Sequence, residues 1–247
     1  MATAARALWR LTLLSVLLVP SASAFDLKKL IEGVKLPGSG DGGAVAALSE
    51  GEIGRGLKEA LSQGIRRAID SLSKTNGYLG NPKVKIPMPE KLEPVESGLR
   101  AIGQDKTADQ FVETMNRAAE RAVPEAVSIF SDALSKMTLD DARKILNGPD
   151  NAATDYFRRM STDQLVSRFR PIVAQATSSV GVTSAYKNLL GRASFISQLL
   201  GKDSTDIDSY VTIGAVNGLF TLVADEEKRI RTQPVARTTE LLKKVFK

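Results

Sequence analysis

Residues 206–230 read DIDSYVTIGAVNGLFTLVADEEKRI, the longest uninterrupted helical pattern in the chain. Its apolar residues, from Ile207, Tyr210 and Val211 through Ile213, Val216, Leu219 and Phe220 to Leu222 and Val223, fall on nearly every side of a 3.6-residue turn. A helix apolar all round is buried, either in a protein core or in a membrane. Asp208, Asn217 and Asp225 make this stretch too polar for a span, so it reads as the central core helix of a helical protein. Gly214-x-x-x-Gly218 leaves room for a neighbouring helix to approach closely. Beyond it, Pro234 breaks the chain and residues 235–247 read as a basic terminal helix.

Working back towards the N-terminus, helix signals continue. Ile53, Leu57, Ala60, Leu61, Ile65, Ala68, Ile69 and Leu72 form a stripe of helical period. It follows a capping-box pattern at Ser49-x-x-Glu52 and ends before Asn76-Gly77. Gly80, Pro82, Pro87 and Pro89 make 77–89 an extended loop. Lys83 to Ile86 has strand character there, without an evident partner. Lys91 to Ile102 reads as a helix with Leu92, Val95, Leu99 and Ile102 on one face, closed by Gly103. Residues 105–122 form another, and Pro124 suits the first turn of the next. Thr138-x-x-Asp141 opens a short helix ending at Asn147-Gly148-Pro149. Ser161-x-x-Gln164 reads as a further capping box, opening a helix through Leu165, Phe169, Val173 and Val180. Residues 183–200 add one or two short helices. The expectation is an all-α fold: a single irregular multi-helix bundle of about eight or nine helices, with a buried central helix near 206–230.

The first 24 residues read as a signal peptide. Arg6 and Arg10 precede the apolar run Leu11 to Val19, Pro20 breaks it, and Ala22-Ser23-Ala24 matches a cleavage site before Phe25. Residues 25–47 read as a short helix and a Gly-rich linker, and 48–247 as one all-α domain. The expected location is the periplasm, with no membrane span after cleavage. Removing residues 1–24 takes two arginines and no acid. The balance of 34 basic against 28 acidic residues becomes 32 against 28, a net +4. Such a mild charge gives weak attraction to anionic surfaces and does not mark a nucleic-acid binder.

Histidine and cysteine are both absent. That removes disulfides, thiolate nucleophiles, imidazole bases and the usual zinc ligands. Nothing in the sequence implies a cofactor or a metal. The catalytic repertoire left is carboxylates, hydroxyls, Lys, Tyr and Arg. Asp140-Asp141 and Glu226-Glu227 are adjacent pairs, which point about 100° apart on a helix and so do not face one substrate. Asp140-Asp141 fits helix-dipole complementation. Ser71-x-x-Lys74 matches a nucleophile spacing in isolation, at a turn where both residues are ordinary.

The arginines are more informative. Tyr156, Arg158 and Arg159, then Arg168 and Arg170, interleave with Phe157 and Phe169. A guanidinium holds phosphate or carboxylate in a planar fork, and a helix opening at Ser161 would add free N–H groups for an anion. The plainer alternative is that the phenylalanines are core and the arginines are solvated or ion-paired. Glu226, Glu227, Arg231 and Arg237 form a second polar cluster. Glu227 and Arg231 have the i, i+4 spacing of an ordinary helix ion pair.

Long ordered motifs carry a family resemblance. GLKEAL (56–61), NGYLGNPKVKIPMPEKL (76–92), MNRAAERAVPEA (115–126), NAATDYFRR (151–159), FRPIV (169–173), VGVTSAY (180–186), DSYVTIGAVNGLF (208–220) and EEKRIRTQPVARTTELLKKVF (226–246) together resemble the bacterial family called domain of unknown function 4197. The resemblance covers residues 48–247. It implies an exported, mostly helical envelope protein and assigns no catalytic residue. Some members carry a lipoprotein cysteine, which this chain lacks. The first functional expectation is a non-enzymatic envelope protein binding an anionic or apolar partner: a protein, a phospholipid or lipopolysaccharide. The alternatives are an envelope hydrolase pairing Asp155 with Glu226 or Glu227, its carboxylates about 5–9.5 Å apart, and a purely structural envelope protein.

Overall fold

The structure, a computed structural model, describes residues 50–179 and 206–232. These residues form seven α-helices and two single-turn 3-10 helices, Glu90–Leu92 and Val123–Glu125, with no strand among them. In chain order the α-helices are α1 (Glu50–Leu72), α2 (Glu93–Ala101), α3 (Asp105–Ala122), α4 (Ala126–Lys136), α5 (Leu139–Leu146), α6 (Ala152–Ser178) and α7 (Ile207–Thr232). The all-α expectation holds; the count of eight or nine is not matched. The signal peptide, the 25–47 segment, Ser49, the helices expected at 183–200 and 235–247, and Arg237 lie outside the described residues.

One difference lies in where a helix starts, and it has a clear physical cause. No helix opens at Ser161. Instead α6 runs unbroken for 27 residues. Phe157, Ser161, Leu165, Phe169 and Val173 recur every four residues and are all buried, so the apolar stripe runs straight through the supposed cap. Ser161 is 1% exposed and its hydroxyl makes no hydrogen bond. The N–H groups that would have met an anion belong to the interior of α6, where the helix ladder uses them. Pro171 lies further along and removes one ladder bond. The carbonyl it strands belongs to Ser167, on an exposed part of the helix open to water.

The expected core helix is α7, packed chiefly on α6, α1 and α3. Ile207, Val211, Ala215, Val216, Leu219, Phe220, Val223 and Ile230 are buried. By length and composition α7 could cross a membrane, yet half of its most apolar stretch is buried within the fold. Phe130, on α4, joins it to α6. Its ring meets Phe157 edge-on at 5.3 Å and Phe220 at 6.0 Å. Burying each ring stabilises the fold by roughly 1.5–3 kcal/mol.

The glycine pair of α7 receives a loop, not a helix. Segment 77–89 lies across Gly214 and Gly218. A Cβ at 218 would come within 2.6 Å of the Tyr78 ring and 3.1 Å of Val84, and one at 214 within 3.1 Å of Ile86. Contrary to the expected extended loop, most of the segment winds through turns, with the Val84 and Lys85 N–H groups both donating to the Asn81 carbonyl, and the strand expected at Lys83 to Ile86 does not form. Asn116 of α3 stands in for a neighbouring strand: its amide accepts from the Ile86 N–H at 2.9 Å and donates to the Ile86 carbonyl at 2.8 Å. Glu120, one turn further on, accepts from the N–H groups of Tyr78 and Leu79. The Tyr78 hydroxyl donates to the Ala215 carbonyl at 2.6 Å. Burial, and then the nearby Glu120 charge, push the Tyr78 phenol well above its usual range.

α2 departs from its expected packing. Leu92 is buried, but it belongs to the 3-10 turn; Val95 and Ile102 are 52% and 73% exposed. Charge, not burial, ties α2 to α3: Arg100, paired within α2 to Glu96 at 2.7 Å, bonds Asp109 at 2.8 Å and Asp105 at 3.4 Å on α3.

Candidate functional site

Glu227 was a candidate catalytic carboxylate, and its surroundings give it a different task. It is 4% exposed and sits against the N-terminus of α6. Oε1 accepts from the Ala153 N–H at 2.9 Å and from Arg231 at 2.9 and 3.1 Å. Oε2 accepts from the Thr154 N–H and hydroxyl, both at 2.8 Å. A helix start leaves backbone donors orphaned, and here a carboxylate from another helix satisfies two of them. Five donors leave no free oxygen to accept a proton from a substrate. Arg231 reaches on to the Ile145 carbonyl at 2.8 Å. Thus α7 holds the end of α5 and the start of α6 together. Glu226 instead pairs with Arg67 of α1 at 2.7 Å, and Asp155 accepts from Asn151 at 3.0 Å.

The five candidate contacts of α6 do not converge. Tyr156 is 4% exposed and its hydroxyl donates to the Ala133 carbonyl at 3.0 Å; burial, followed by the Asp141 charge, raises its pKa. The Arg158 guanidinium lies 4.5 Å from the Phe220 ring centroid. Arg170 pairs with Asp206 at 2.8 Å. Arg168 stands 3.8 Å from Glu125, in a cleft that also holds Asp132 and Asp163. Arg159 borders a smaller cleft with Asp141, Lys144 and Asp155. Helix geometry puts Arg159 and Arg170 on one face about 16 Å apart, with Arg158 and Arg168 off it. Phe157 and Phe169 are fully buried. The arrangement matches the plainer alternative, in which aromatics are core and arginines are solvated or paired.

A groove the sequence did not single out lies between segment 83–87 and α7. Its volume is about 320 Å³. Along this segment Val84 and Ile86 are buried, and Lys83, Lys85 and Pro87 are exposed. The opposite wall is α7, which presents Tyr210, Ile213, Asn217 and Thr221. Ile213 is 54% exposed, in a helix whose other large aliphatic residues are mostly buried. The Tyr210 hydroxyl donates to the Pro87 carbonyl at 3.3 Å and ties the walls together at one end. Lys83 pairs with Asp225 at 2.7 Å at the other. Lys85 stays exposed, and among the described residues that line the groove none is acidic; Asp225, at its end, is taken up by Lys83. The signal in the sequence was the alternation Lys83-Val84-Lys85-Ile86, together with one isoleucine too many around α7.

Fold and groove together define an all-helical protein wrapped around one long C-terminal core helix, with an open, lysine-edged groove along that helix. The chain belongs to the family described as protein of unknown function (DUF4197), whose model matches residues 47–247. No curated protein and no solved structure matches the chain.

Proposed function

We propose that this chain is a non-enzymatic binding protein of the bacterial envelope, and that the groove between segment 83–87 and α7 is its contact surface. The export pattern of residues 1–24 supports the location. The observation that carries the binding role is Ile213. A single exposed isoleucine is ordinary, but this one stands in a concave groove beside Tyr210 and Pro87, edged by Lys83, which Asp225 pairs, and by Lys85, which has no ion pair among the described residues. Apolar and anionic groups together are what such a surface attracts, and either a protein or an anionic lipid supplies them. The carboxylates of the hydrolase alternative are committed elsewhere, Glu227 above all.

The test is site-specific photo-crosslinking in the envelope. A photoreactive phenylalanine analogue replaces Ile213 in one variant and the more exposed Ile102 in another. The expected result is a light-dependent adduct at 213 that weakens when Lys85→Glu is added, with none of comparable yield at 102. Equal adducts at both positions, or none at 213, would remove the groove as a contact surface.

A further inference from the structure

The chemistry of the groove narrows its occupant, a step that rests on the reading just given. Three features converge. Ile213, flanked by Tyr210 and Pro87, offers a seat for one large apolar side chain. Lys85 offers a positive charge with no ion pair among the described residues, whereas Lys83 is held by Asp225. Asn217, one turn along α7 from Ile213, exposes a carboxamide that makes no hydrogen bond among the described residues.

The third feature favours a peptide backbone over an acyl chain. Asn116 already shows what a carboxamide does beside this segment: it reads the N–H and the carbonyl of Ile86 together. Asn217 presents the same donor and acceptor from the open side. A polypeptide backbone has both groups to return, and an acyl chain has neither. The exposed wall of α7 from Tyr210 to Thr221 is about 16 Å long, enough for roughly five residues of extended chain.

We propose that the groove binds an extended peptide segment of a protein partner, with a large apolar side chain on Ile213, a nearby Asp or Glu side chain on Lys85 and its backbone on Asn217. Ion pairs at such an open edge govern register and choice of partner more than affinity.

The probe is a library of random linear twelve-residue peptides displayed on phage and selected on the full chain. Enriched peptides are then synthesised with a fluorophore and titrated by anisotropy. The expected consensus is an acidic residue within two positions of a large apolar one. Lys85→Glu should weaken binding about tenfold, and changing the peptide's acid to lysine should recover most of that loss. Ile213→Asp and Asn217→Ala should weaken it too, and Arg168→Glu should not. All four positions are exposed, so thermal melts should stay close to wild type. Vesicles of phosphatidylglycerol and phosphatidylethanolamine form the second arm. Sedimentation with vesicles that is lost in Lys85→Glu and Ile213→Asp, with no peptide enriched, would make the occupant a lipid surface; the peptide proposal falls and the groove stands. Peptides that bind all variants equally, or no enrichment at all, also overturn it, and the adduct at 213 then decides separately whether the groove binds anything.

Discussion

Ser161 shows how one side chain can carry two opposite meanings. Read as a cap, its hydroxyl would satisfy a backbone donor, and Ser161→Ala would cost about 1 kcal/mol. In the structure it sits in the middle of α6 between Phe157 and Leu165, buried and without a hydrogen bond. An unsatisfied buried hydroxyl is a liability. Ser161→Ala is therefore expected to leave stability unchanged or raise it by up to about 1 kcal/mol, measured as the urea midpoint at constant slope. A loss would restore the cap. The local text Ser-x-x-Gln is the same in both situations. What separates them is whether the four-residue apolar spacing continues upstream, and at Phe157 it does.

At the scale of elements, the helices are joined by side chains that serve ends other than their own. Glu227 of α7 caps α6, so Glu227→Ala strips two helix N–H groups of their acceptor and strands Arg231 partly buried. Breaking a buried pair by removing one partner costs about 3–5 kcal/mol, and a loss of that size is expected in denaturant unfolding. A loss below about 1 kcal/mol would put Glu227 among ordinary surface pairs. The start of α5 is capped within its own sequence. The Thr138 hydroxyl donates to Asp141 at 2.7 Å and accepts from the Asp141 N–H at 3.1 Å, and the Thr138 N–H donates to the Asp141 carboxylate at 3.0 Å. The hydroxyl bond first, and then the backbone bond, hold Asp141 below its ordinary carboxylate range. Because the folded pKa is depressed, the stabilisation is complete above the unfolded value of about 3.9 and is lost as pH falls through the folded one. Asp141→Asn should thus cost stability at about pH 6 and much less at about pH 2, read from paired urea titrations. An equal cost at both would detach the cap from the charge.

For the whole molecule, legibility followed the range of the interaction. The all-α class, the ends of α3 and α5 and the burial of α7 were visible because period, caps and composition act within one segment. The long-range joins were not. Glu227 on the N–H groups of 153 and 154, Asn116 on Ile86 and Tyr78 on Ala215 each link positions that no local pattern connects. The groove was hidden for the same reason, since its walls lie more than 120 residues apart in the chain, as the bond from Tyr210 to Pro87 shows. Local text also misled at α2, where an amphipathic stripe ends up largely in water.

The position of α7 sets a clock on folding. Partners of residues 67, 78 and 83 come from residues 215–226, so the first half of the chain waits for the last quarter. Contacts this distant in sequence make folding slow. A ribosome adding about 5–20 residues per second releases α1 several seconds before the helix that completes its surroundings. Through that interval the growing chain has helices and no finished interior. A chain released at residue 205 should show helical circular dichroism without a cooperative melt; a sharp melt would mean that α1 to α6 close a core unaided. A polypeptide that cannot finish folding until α7 appears stays threadable while it is being made.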